Sequence, residues 1–159
     1  MGPRYDLTDR QNRSLITGWI TAGRLLGIHL GTPCNTWSRI LGSPGGPPAL
    51  RSDAHVLGLP SLSPTLMLKV ADANALMRFT ATCVQAARKA CIPAVVENPA
   101  YSRLWLAPPM KALLRLRDAT YAYTDYCMWG EPWRKRTRFL GVLVDLDPVR
   151  RLCHGKGAL

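Results

Sequence analysis

Apolar residues recur every three or four positions across residues 65–90, where Leu66, Val70, Ala73, Met77, Thr80, Val84 and Ala87 fall on one stripe. That period predicts a long amphipathic helix with one face against a core. A shorter helix fits residues 9–23, opened by the capping box Thr8-x-x-Gln11, with Leu15, Ile16, Trp19 and Ile20 on its apolar face. Between the two the pattern changes. Leu25-Leu26-Gly27-Ile28-His29-Leu30 is a short apolar run that reads as a buried strand, with His29 expected to be a satisfied core histidine. Residues 32–64 show no period and are rich in Pro and Gly, as in Ser43-Pro44-Gly45-Gly46-Pro47-Pro48. A loop of that length in a compact domain is functional or disordered. Ile92 to Val96 reads as a second buried strand. Pro108-Pro109 marks a break before a short basic helix near residues 109–117. Residues 120–128 and 138–145 read as two late strands joined by a basic turn. Strand–helix–strand alternation of this kind predicts an α/β fold: a partial Rossmann-like sheet, mostly parallel, with a late antiparallel hairpin.

The chain of 159 residues is long enough to bury a real core and short enough for one domain spanning 1–159, with 146–159 expected to be a disordered tail. No apolar run approaches the ~20 residues of a membrane span, and the N-terminus carries no apolar leader core. The expectation is a soluble, intracellular protein without a membrane partner, nuclear if the source is eukaryotic. Lys and Arg number 21 against 10 acids, a net charge of +11, and only five of the 21 are lysine. Guanidinium forks suit phosphates and base edges, so the charge points to a nucleic-acid partner, DNA first and RNA second. The bland reading of the same numbers is a merely basic surface. The five cysteines, at 34, 83, 91, 127 and 153, include no C-x-x-C pair. That argues against a zinc ribbon or a secreted disulfide framework, and no metal is expected. Cys83 and Cys127 read as core fillers.

Three segments carry candidate chemistry. Gly31-Thr32-Pro33-Cys34-Asn35-Thr36-Trp37-Ser38 places a thiol on the turn that leaves the first strand. Ligands of open α/β sheets bind at such strand ends, and a thiolate there is a nucleophile. Val95-Val96-Glu97-Asn98-Pro99 puts a carboxylate at the end of the second strand. Gly130-Glu131-Pro132-Trp133-Arg134-Lys135-Arg136-Thr137-Arg138 supplies a basic turn. Each alone has an ordinary explanation. A cysteine after a strand is usually a buried small hydrophobe. Glu-Asn-Pro is a common strand exit, and a basic run is usually a solvated hairpin tip. Trp37, Trp129 and Trp133 can stack on bases or pack at strand ends.

Together and in this order, the three segments resemble those of the cytosine-5 DNA methyltransferase family over about residues 25–145. The first is similar to that family's Pro-Cys loop and the second to its Glu-Asn-Val motif; the third, taken from Tyr126-Cys127-Met128-Trp129-Gly130-Glu131-Pro132 on to Arg136-Thr137-Arg138 and Phe139, is similar to its Tyr-Gly-x-Pro-Gln-x-Arg-x-Arg segment. The resemblance implies a methyltransferase sheet and transfer of a methyl group from S-adenosylmethionine to carbon 5 of cytosine. It makes Cys34 the nucleophile at carbon 6, Glu97 the group that holds the base edge, and Arg136 and Arg138 its partners at the base carbonyl and phosphates. Ser38, Arg39, Trp133, Arg134 and Lys135 become nucleic-acid contacts. Asp6, Pro33 and Asn98 become candidate contacts to the cofactor. The family's cofactor-binding Phe-x-Gly-x-Gly loop and its target-recognition domain are absent from this chain, Trp133 stands where the family has Gln, and one extra residue precedes the arginine pair. These departures imply a truncated or minimal member, similar to divergent methyltransferase-like proteins of protist genomes and mobile elements, with a second chain completing the cofactor site. Two rivals stay open: a catalytically inactive nucleic-acid-binding module on the same fold, and a cysteine enzyme acting on another base.

Overall fold

The computed structural model describes residues 6–154. The first helix, α1 (Arg10–Thr21), is capped by Asp9, whose carboxylate accepts from Gln11 N at 2.7 Å. Thr8, expected to be the cap, instead donates its hydroxyl to Asp6. The long stripe forms α2 (Pro64–Lys89), with Pro64 pre-set in its first turn and Arg88 and Lys89 complementing the dipole at its end. Val70, Ala73, Met77, Thr80, Val84 and Ala87 are all buried. β1 (Ile28–Gly31), β2 (Ala94–Pro99), α3 (Pro108–Leu114), β3 (Ala119–Asp125) and β4 (Arg136–Val142) complete the main elements.

The sheet runs β1-β2-β4-β3, with β1 and β2 parallel and both other pairs antiparallel. The expectation of a mostly parallel sheet is therefore corrected to a mixed one. The reason is the short β3–β4 connection, which can join only antiparallel neighbours. Gly130, at φ 92°, turns the chain inside that connection, a left-handed conformation that side chains disfavour. β4 then returns between β2 and β3, so it also opposes β2.

Directly paired residues share a face. Ala94, Val96, Leu140 and Val142 form one buried cluster with the helix residues Met77, Val84, Met110 and Leu113. The opposite face carries His29, Val95, Glu97 and Phe139. β1 is an edge strand, and His29 is exposed rather than buried because no helix covers it. α1 packs on α2, which buries Ile20 and leaves Leu15 and Trp19 52% and 40% exposed. Residues 146–154 run back along β3, where Arg151 O accepts from Asp125 N at 2.8 Å.

The long β1–α2 loop is built around a buried arginine. Arg51 donates to Val56 O and Asn74 Oδ1, both at 2.8 Å, and to Thr36 O and Oγ1 at 3.1 and 2.9 Å. Its guanidinium lies 3.4 Å from the centroid of Trp37, which is fully buried. Trp37 is thus a packing residue and not a base-stacking one. Burial pushes the Arg51 pKa down to about 10, so the group stays charged at neutral pH.

Candidate functional site

The parallel register sets Gly31 opposite Glu97. Strands in parallel end at the same edge, so the turn carrying Cys34 and the carboxylate of Glu97 share one end of the sheet. Two contacts hold that turn. Asn98 Nδ2 donates to Thr32 O at 2.6 Å, and the hydroxyls of Thr32 and Thr80 are 2.7 Å apart, which ties it to α2. Cys34 O accepts from Trp37 N and Ser38 N, both at 3.0 Å, closing a tight turn that leaves Cys34 half-buried. Cys83 differs: it is fully buried in the core, and burial pushes its thiol up to about 11. Cys127 is half-buried rather than a core filler.

Glu97 has 18% of its side chain exposed, and its Oε1 accepts from Tyr126 OH at 3.4 Å and lies 3.6 Å from Lys135 Nζ. Its Oε2 would sit 3.8 Å from a Cβ placed on Gly31, so the carboxylate leans over the end of β1. The cation beside Glu97 is therefore Lys135, one of the residues the sequence marks for nucleic acid. Arg138 pairs with Asn98, one residue out of register with Glu97, and faces the opposite side of the sheet. There it lies 5.0, 5.1 and 5.7 Å from the ring centroids of Trp105, Tyr121 and Tyr123.

Arg136 forks onto Asp125, at 3.0 and 2.8 Å, and Arg134 Nε approaches the same carboxylate at 3.3 Å. Cys153 N donates a further bond at 2.9 Å. The Arg136 fork holds the fully buried Asp125 carboxyl well below the usual aspartate range, and Asp125 in turn raises Arg136. A folded pKa below the unfolded one adds stability above the ordinary aspartate value of 3.8 and loses it as pH falls through the folded value. Asp125→Asn is accordingly expected to cost about 2 kcal/mol or more at pH 7. Denaturant titrations should show that gap closing as pH falls below ~4, whereas a gap unchanged by acid would assign the loss to packing.

Ser38, Arg39, Tyr101, Ser102, Arg134 and Arg136 line an open cleft of about 610 Å³ at the same end of the sheet. Arg39 is braced by Tyr101 O at 3.0 Å and Asp53 at 2.8 Å, and Arg103 holds the other Asp53 oxygen at 3.0 Å. The fold thus brings three arginines and three hydroxyl side chains from distant segments to one concave surface. Cys34 and Glu97 do not line the cleft, although Ser38 and Pro99, shortly after each in the chain, do; Trp133 is not among its lining residues either and is 57% exposed. Sequence reasoning missed Asp125 and Asp53, and gave no role to Tyr126, which opens the third segment. Each gains its role only through a partner far away in the chain.

The residues the resemblance assigns to S-adenosylmethionine do not form a site for it. Asn98 is 1% exposed, with its Nδ2 occupied by Thr32 O; its Oδ1 has no partner among the described residues but is sealed from any ligand by that burial. Asp6 is exposed ahead of α1, where it bonds Thr8, and not at a strand end; Tyr5 beside it lies outside the described residues. Pro33 is exposed on the turn. Among the described residues no cluster of three metal-ligating side chains occurs, and no helix is long and apolar enough to cross a membrane. No family model, curated protein or solved structure matches the chain.

Proposed function

We propose that this chain is a methyltransferase-like domain that binds cytosine in nucleic acid and forms a covalent bond to it through Cys34. The observation that carries the reading is the parallel register of β1 and β2. It sets the Cys34 turn and Glu97 at one edge, beside a cleft lined by three arginines. The parallel pair followed by a late hairpin also supports the resemblance seen in the sequence.

The chemistry follows from those groups. Cytosine is attacked at carbon 6 by the Cys34 thiolate, forming the S–C6 bond. The carbon 5–carbon 6 π pair moves to carbon 4–carbon 5, and the carbon 4–nitrogen 3 pair takes a proton at nitrogen 3 from the Glu97 carboxyl. Carbon 5 is then the nucleophilic end of an enamine. Tyr126 and Lys135 hold the Glu97 side chain in place, and Arg39 and Arg134 receive phosphates. A duplex target has to be flipped out to reach this edge. S-adenosylmethionine would supply the methyl group in the family's reaction; the residues described here do not fit it, and a second chain would complete that site.

Alkylation rates test the assignment. Iodoacetamide labelling, read peptide by peptide, should slow several-fold at Cys34 when a cytosine oligonucleotide is bound. Replacing that cytosine by an abasic position should restore the rate, and exposed Cys91 serves as the control. Equal Cys34 rates with and without the base would remove Cys34 from the site and leave the second reading, a basic module that grips phosphates in the cleft.

A further inference from the structure

The face of the sheet that carries Glu97 holds a second cavity. Thr124, Tyr126, Trp129, Glu131, Phe139 and Val149 line a space of about 350 Å³, within the usual ~300–1,000 Å³ of small-molecule sites. Phe139 is the direct register partner of Glu97, and Tyr126 is both a wall of the cavity and a donor to the Glu97 carboxylate. The space is therefore contiguous with the candidate site. Three of its six lining residues are aromatic, and the Trp129 indole is fixed by a 2.7 Å bond from Nε1 to Thr124 Oγ1.

We propose that this slot stacks a second, unpaired nucleobase, the neighbour in the strand of the base held by Glu97. The inference rests on the reading that the chain binds nucleic acid. Charge selects the occupant. Lys135 Nζ lies 4.8 Å from the Tyr126 centroid, and the Arg151 guanidinium lies 4.1 Å from that of Trp129. An aromatic slot rimmed by two cations suits a flat ring that carries a phosphate on each side, as a strand of nucleic acid does. Glu131, half-buried in the wall, makes no ion pair among the described residues and accepts a hydrogen bond from an exocyclic amine or ring N–H. Trp129 is 48% exposed, so the ring is reachable from solvent.

The test is binding of a fluorescent single-stranded oligonucleotide, with one cytosine and an abasic position moved along it. Stacking of one base on an aromatic ring predicts that Trp129→Ala weakens binding about tenfold or more, with the salt slope unchanged. Trp129→Phe should keep most of the affinity, which separates stacking from a folding defect. In the wild type, one abasic position beside the cytosine should cost as much as Trp129→Ala; in Trp129→Ala that position should cost nothing further. Arg39→Ala with Arg134→Ala is the opposite control, because it should flatten the salt slope. Wild-type affinity in Trp129→Ala, or equal abasic losses in both proteins, overturns the slot while leaving the cleft and Cys34 standing. An intact protein that binds no oligonucleotide at low salt overturns the slot and the proposed function together. Tighter binding to anionic lipid vesicles than to the oligonucleotide assigns the cations to a membrane surface and overturns it as well.

Discussion

Arg51→Ala is expected to cost about 4 kcal/mol or more, a large share of the ~5–15 kcal/mol that holds a domain folded. The side chain is 1% exposed and satisfies Thr36 O, Val56 O and Asn74 Oδ1. Its removal leaves those acceptors buried at ~1–3 kcal/mol each and uncovers the face of Trp37. Arg51→Lys should fall in between, since an ammonium keeps the charge but not the planar fork or the stack. Thermal and urea unfolding measure both variants. A loss under ~1 kcal/mol for Arg51→Ala would mean that the loop does not depend on this residue. The result matters for function because Thr36 and Trp37 belong to the turn that carries Cys34. A loosened loop should therefore speed alkylation of Cys34 before the protein unfolds.

The parts of this fold legible in the sequence are those fixed by short-range pattern. α2 is marked by its 3.6-residue stripe over 65–90, and it forms over Pro64–Lys89. The two apolar runs that precede Cys34 and Glu97 become adjacent parallel strands, so the shared edge was readable as well. What pattern cannot supply is register. Whether Lys135 or Arg138 meets Glu97 depends on which β4 residue opposes it, and a one-residue change moves every side chain to the other face. With Phe139 opposite Glu97, Arg138 turns away and Lys135 arrives. His29 was misread for a related reason: an apolar run looks the same in a central strand and at an uncovered edge. Arg51 in a Pro- and Gly-rich loop carries no local sign of burial, because its acceptors come from residues 36, 56 and 74.

The central claim is that Cys34 adds to cytosine, and addition leaves a trace that needs no methyl donor. Once the S–C6 bond forms, carbon 5 takes a deuteron from heavy water. Loss of its original proton and expulsion of the thiolate then regenerate cytosine labelled at carbon 5. The measurement is mass spectrometry of a cytosine oligonucleotide incubated with the full chain in deuterated buffer, without S-adenosylmethionine. The account predicts enzyme-dependent exchange at carbon 5 of cytosine. It should be abolished by Cys34→Ser, because a hydroxyl is a far weaker nucleophile than a thiolate, and slowed about 10²-fold or more by Glu97→Gln, which cannot deliver the proton to nitrogen 3. Exchange that persists at the wild-type rate in Cys34→Ser, or no exchange by a folded wild-type protein that binds the oligonucleotide, would contradict it.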